Sequence, residues 1–169
     1  LVFVDEGQTL RIEPGTVVKG DAGNGADASA LVVARGGTIF AEGTAERPII
    51  FTSIKDDLST TDDRSRRFRG GWGGVIILGR APINPAAGVH DIEGIPPNAF
   101  RNVYGGTDPN DSSGVLRYVS IRHGGTILKE DEEINGLTLG GVGSSTTIEY
   151  VEVFNNQDDG FEWFGGTVD

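Results

Sequence analysis

The densest group of side chains able to do chemistry is Asn156, Gln157, Asp158, Asp159 and Glu162. Two chemistries use such a set. Paired carboxylates cut a glycosidic bond, one activating water while the other protonates the leaving oxygen. Asp158 and Asp159 would form that pair, with His123 as a further acid or base. A calcium ion is the other candidate, because it gathers about six to eight hard oxygens. Asp158 and Asp159 would be its main ligands, helped by Asn156 and Glu162. The plainer reading is a polar turn whose Asn and Asp side chains bond their own backbone. No Asp-x-Asp-x-Asp-Gly loop or calcium-binding nonapeptide repeat accompanies the group. No Lys or Arg follows Asp159 to act as the base of a lyase. Neither reading requires a cofactor beyond calcium.

Other chemistries are narrower still. His90 and His123 are the 2 histidines, in unrelated contexts, and there are 0 cysteines, which leaves little for zinc. Gly140-Gly141-Val142-Gly143 follows a strand-like run but leads into another, so it is no phosphate loop. Arg64, Arg66, Arg67 and Arg69 come just after Asp56, Asp57, Asp62 and Asp63. Such a cluster can grip a carboxylated or sulfated glycan bidentately, or remain a solvated loop with internal ion pairs. Phe100 and Tyr104, near Pro96-Pro97, either pack over the side of the domain or offer a platform for sugar rings. Packing is favoured, since large exposed apolar patches are uncommon. Asn110-Asp111-Ser112 fits the glycosylation sequon, a pattern short enough to arise by chance.

Composition sets the bounds. The 169 residues carry a formal net charge of -11, with 14 Lys+Arg against 25 Asp+Glu. That balance excludes a phosphate-backbone partner and disfavours an anionic membrane. No apolar run reaches the roughly 18 residues of a membrane span. Without cysteine there is no disulfide framework. The chain also contains 0 methionines, which implies a processed, trimmed or partial product.

The 27 glycines separate short β-branched runs, and no helical periodicity stands out. Ile127–Ile134 is acidic and reads as a solvated loop. One set of runs begins at Leu1, Ala30, Gly74, Gly136 and Gly160, each leading into a strand and a glycine turn. A short strand follows, clearest in Thr9–Ile12 and Thr38–Ala41. A further set aligns without gaps: Pro48–Asp56, Val115–His123 and Thr147–Asn155. It places Phe51, Tyr118 and Tyr150 in one column, an internal or turn-proximal aromatic ladder, and Asp56, His123 and Asn155 in another. Repeating strand–turn units bury like on like by stacking. The expected architecture is therefore all-β: a right-handed, single-stranded parallel β-helix in one domain over 1–169. Rungs fall at about 1–20, 30–54, 74–122 and 136–154, with a partial one at 160–169. Insertions occupy 56–71, 85–114 and 124–135.

Several phrases carry a family resemblance: Ile12-Glu13-Pro14-Gly15-Thr16-Val17-Val18-Lys19-Gly20, Gly37–Thr44 followed by Pro48–Ser53, Trp72–Gly79 and Asp158–Gly166. The chain resembles large bacterial secreted or lipid-anchored β-helix proteins, many with a sorting domain for type IX secretion. The resemblance implies a secreted or outer-surface location and brings no established activity. The expected function is a structural, adhesive or glycan-facing surface module whose partner is a polysaccharide. The alternative is a polysaccharide-active enzyme, lyase or hydrolase, using Asp158 and Asp159. Galacturonases, which share the fold, place their acidic motifs before a histidine turn, whereas here the acidic turn follows His123. Because Leu1 enters a strand directly and the last rung stops early, the chain is expected to be a segment of a longer solenoid. End-to-end self-association is the other way to cover such ends.

Overall fold

The computed structural model describes residues 1–24, 27–59, 68–93, 95, 101–129 and 132–169. The described elements are all strands: β1 (Val2–Val4), β2 (Thr9–Ile12), β3 (Val17–Gly20), β4 (Leu31–Val33), β5 (Thr38–Glu42), β6 (Ile49–Ser53), β7 (Val75–Leu78), β8 (His90–Asp91), β9 (Val103–Tyr104), β10 (Gly114–Arg122), β11 (Ile127–Lys129), β12 (Glu132–Glu133), β13 (Leu137–Val142), β14 (Thr147–Phe154) and β15 (Phe161–Gly166). One parallel sheet has the order β1-β4-β7-β13-β15. Its register joins Val2, Leu31, Val75, Leu137 and Phe161 in one column, as the repeat anticipates. The second sheet runs β2-β5-β10-β6-β3, with β14 also on β10. Within these two sheets, strands adjacent in sequence lie on different walls and each pairs with the equivalent strand one coil away, while β8–β9 and β11–β12 form antiparallel pairs of their own in the insertions. The fold is a right-handed parallel β-helix, the hand that parallel crossovers take.

The second sheet is two walls joined through long strands. Gly114–Arg117 pairs with β5, whereas Val119–Ile121 pairs with β6. Between them Tyr118 turns the corner by itself, at a φ of 49°. In β14 the same corner is Tyr150, at a φ of 54°. Earlier coils take that corner through residues 13–16 and 43–48 instead. Close stacking at the start of β10 demands glycine: Gly114 has a φ of 107°, and a Cβ there would lie 1.9 Å from the Ile39 carbonyl oxygen.

This corner corrects the gapless alignment. Ile49 pairs with Val119 and Phe51 with Ile121, so Phe51 leaves the Tyr118 column. The physical cause is the looped corner at 43–48, which a gapless comparison cannot register. Phe51 is buried and stacks on Trp72, ring centroids 6.5 Å apart. Tyr118 and Tyr150 stack on each other outside the coil, at 4.5 Å and 5°. Asp56 likewise leaves the His123–Asn155 column, although its side chain turns back toward His123.

Inside the coil Val33, Ile39, Ile49, Val75, Ile77, Leu116, Ile121, Leu137 and Leu139 make one apolar core. A second lies outside the first sheet, where Val32, Ile76 and Leu78 meet Ile92, Ile95, Tyr104 and Ile134. Those partners come from the insertions. The sheet is therefore buried on both faces, and Val75–Leu78 reads as an unbroken apolar run for that reason. The segment expected to be a solvated loop, Ile127–Ile134, instead contains an antiparallel β11–β12 pair and buries Ile134.

Burial separates the two aromatic environments. Leu116→Ala, which empties a fully enclosed site, is expected to cost about 2–5 kcal/mol. Tyr150→Ala is expected to cost no more than about 1.5 kcal/mol, from the lost ring stack. Urea unfolding midpoints measure both, and equal losses would place the tyrosine ladder in the interior.

Candidate functional site

His123 follows β10 in a left-handed conformation, φ 59°, and Asn155 does the same after β14 at 53°. The turn carries the imidazole inward, where it is buried. Its Nδ1 lies 2.8 Å from the Phe68 carbonyl oxygen, which makes Nδ1–H the donor. The Phe68 and Phe154 rings flank it at 5.2 and 5.8 Å. Nε2 faces Asp56 Oδ2 at 3.9 Å. Asp56 is buried too: its carboxylate accepts from Thr52 Oγ1 at 2.6 Å and from the Leu58 backbone N–H at 3.0 Å. Lys19 Nζ donates to the Asp56 carbonyl oxygen at 2.5 Å. The group is a polar bracket tying the start of an insertion to the coil, since buried polar atoms need partners.

The acidic turn lies one coil further on. Asn156 Nδ2 donates to the Asp159 carbonyl oxygen at 2.7 Å, and the Gly136 N–H reaches the same oxygen at 3.1 Å. Backbone contacts thus fix the turn, while the Asp158 and Asp159 side chains stand exposed. Glu162 is partly buried and accepts from Asn135 Nδ2. Burial raises its pKa above the ordinary glutamate value, and Glu93, Asp159 and Asp158 push it the same way against the Asn135 hydrogen bond. Asn135 Oδ1 and Asn156 Oδ1 are buried and lack a hydrogen-bond partner among the described residues. Also among the described residues, no three His, Asp or Glu side chains are grouped to hold a metal ion.

The glycan candidates separate. Arg64, Arg66, Arg67 and Phe100 lie outside the described residues, and Arg69 is exposed. Tyr104 is buried, with Phe164 at 5.9 Å and His90 at 6.1 Å from its ring. Burial also raises its phenol pKa, followed by Glu93 and Glu162. Tyr104 therefore packs the outer core and presents no face as a sugar platform, which corrects that reading. A cavity of about 610 Å³ opens inside the first coil among Leu10, Ile12, Val18, Phe51 and Trp72. It contains none of the candidate residues. The surface that sequence reasoning passed over is the outer face of β10 and β14. Its only signal was a tyrosine repeated in one column, read as a ladder rather than as a surface.

Glu162 makes stability pH-dependent. A carboxyl whose folded pKa is raised contributes fully below its unfolded value and loses that contribution as pH rises through the folded one. Glu162→Gln keeps the acceptor for Asn135 and cannot ionise. Its melting temperature is expected to match the parent's below the ordinary value of 4.5 and exceed it near neutrality. Melting curves across that range check it; a constant gap at every pH would remove Glu162 as the source.

Comparison with known proteins bears on the fold. A family model described as a pectate-lyase like beta helix domain matches residues 1–169. No curated protein and no solved structure matches the chain. Continuous parallel coils, corners of unequal length and a family match from end to end agree: the chain belongs to the pectate-lyase-like β-helix domain family.

Proposed function

We propose that the chain is a non-catalytic β-solenoid module, secreted or held at the outer cell surface, that contacts polysaccharide. Family membership supports the link to polysaccharide, because the family is named for its likeness to a polysaccharide lyase. One observation carries the non-catalytic part. His123, the acid or base that would accompany the carboxylates, is only 3% exposed and is held by Phe68, Phe154 and Asp56. Asp158 and Asp159 are exposed to solvent, whereas that bracket is buried. Glycoside hydrolysis needs two carboxyls set across the scissile bond, and proton abstraction needs a base within reach of the sugar. Polar groups here serve the coil. Location rests on the resemblance to secreted β-helix proteins.

The experiment is a release assay on acidic and neutral polysaccharides, with and without calcium, following reducing ends and unsaturated products. A parallel sedimentation assay measures binding to the insoluble forms. Retention on polysaccharide without product is the expected result. Product formation lost in the Asp158→Asn, Asp159→Asn double variant would replace this reading with the polysaccharide-active enzyme. Calcium at the Asp158–Glu162 turn would appear as a melting-temperature rise that the same variant abolishes.

A further inference from the structure

Tyr118 and Tyr150 occupy a backbone conformation that suits glycine or asparagine, at φ values of 49° and 54°. Other left-handed positions in this chain hold glycine, as at Gly7 and Gly36 with φ 76° and 83°, or a different side chain, as at His123 and Asn155 with φ 59° and 53°. Their mutual stack explains why one tyrosine sits above the other. It does not explain why a side chain this large is kept at a strained outward corner, with Tyr150 69% exposed. Strain retained at a surface points toward a role for the side chain.

The corner opens onto a groove of about 320 Å³ lined by Pro48, Tyr118 and Tyr150 together with Ser120, Arg122 and Glu152. That volume falls within the range of small-ligand sites. Along the strands from the rings the polar groups are already ordered. Arg122 Nε donates to Ser120 Oγ at 2.7 Å, and Ser120 Oγ donates to Glu152 Oε1 at 2.6 Å. Arg122 Nη2 lies 3.6 Å from the same carboxylate oxygen. A guanidinium and a carboxylate held side by side offer a donor and an acceptor to neighbouring hydroxyls. A tyrosine adds an apolar ring body with a polar tip. Apolar ring faces rimmed by vicinal hydroxyls are the chemistry of a pyranose.

Charge selects among sugars. Arg122 is balanced by Glu152, and Arg117 by Glu149 at 2.9 Å and Glu42 at 3.9 Å. The corner therefore has no cationic excess to draw a polyanion to a chain of net charge -11. We propose that this groove is a subsite for a neutral, extended hexopyranose chain. Tyr150, backed by the Tyr118 ring stacked on it, supplies the aromatic surface, and Arg122 and Glu152, joined through the buried Ser120 hydroxyl, the polar groups. The proposal rests on the polysaccharide-contacting reading above and names the surface and the ligand class.

The test titrates the chain with cellohexaose and, separately, with a hexameric oligogalacturonate, by calorimetry. Tyr150→Asn removes the ring while keeping a residue that adopts this backbone, as Asn155 does at a φ of 53°. Glu152→Gln removes the carboxylate that Arg122 and Ser120 hold, and thermal melting confirms that both variants fold. Cellohexaose is expected to bind the parent chain, with affinity reduced about tenfold or more in each variant. Undiminished binding by the variants would overturn this site while leaving the polysaccharide reading intact. Binding of the oligogalacturonate alone would overturn the neutral ligand. Failure of the parent chain to bind any polysaccharide, soluble or sedimented, would overturn both.

Discussion

A parallel coil cannot pair its strands with each other. Every backbone N–H and C=O it directs along the axis needs a partner in the coil above or below, and an unpaired buried group is costly. The stacking register is therefore the constraint on which the rest depends. It puts Leu31 over Val2 and Val75 over Leu31, so that inward side chains meet their equivalents. It also brings backbones close enough at Gly114 to exclude any side chain. Outside, it aligns Glu42, Arg117 and Glu149 in a column of alternating charge, avoiding like charges on adjacent strands.

Register was legible where coils keep one length. The first sheet repeats its strand and glycine turn without insertion inside the strand, and equivalent apolar residues fall in the same places. Phe51 shows where legibility ends. Its coil turns the corner through residues 43–48, while the next uses Tyr118 alone, and a hydrophobic pattern records strand positions without corner lengths. The insertions hid for a related reason. Ile92, Ile95 and Ile134 show no periodicity of their own, and only the fold reveals that they cover Val32, Ile76 and Leu78.

For the candidate site, sequence identified residue types but not their direction. Asp158 and Asp159 follow a strand end and face solvent, whereas His123 follows an equivalent strand end and faces inward. The difference comes from Phe68 and Asp56, which arrive from an insertion and close over the imidazole. The acidic turn stacks on the histidine turn, with the Gln157 N–H on the Gly124 carbonyl oxygen at 3.0 Å, yet one presents its side chains to solvent and the other encloses its imidazole. Tyr118 and Tyr150 were aligned from sequence alone, yet the sign of their φ, which turns them outward, is not written in composition or spacing.

The two ways of turning that corner also divide the tube mechanically. At β10 and β14 the inter-coil hydrogen bonding resumes immediately on either side of the tyrosine pair, from Arg117 with Glu149 to Val119 with Val151. That edge behaves as a nearly continuous seam. In the coils of β2–β3 and β5–β6 the same edge consists of loops, tied across the coils by Arg47 on the Pro14 carbonyl oxygen and by the Ile50 N–H on the Thr16 carbonyl oxygen. One edge of the tube thus changes along its length from side-chain and isolated backbone ties to a backbone ladder interrupted at one residue.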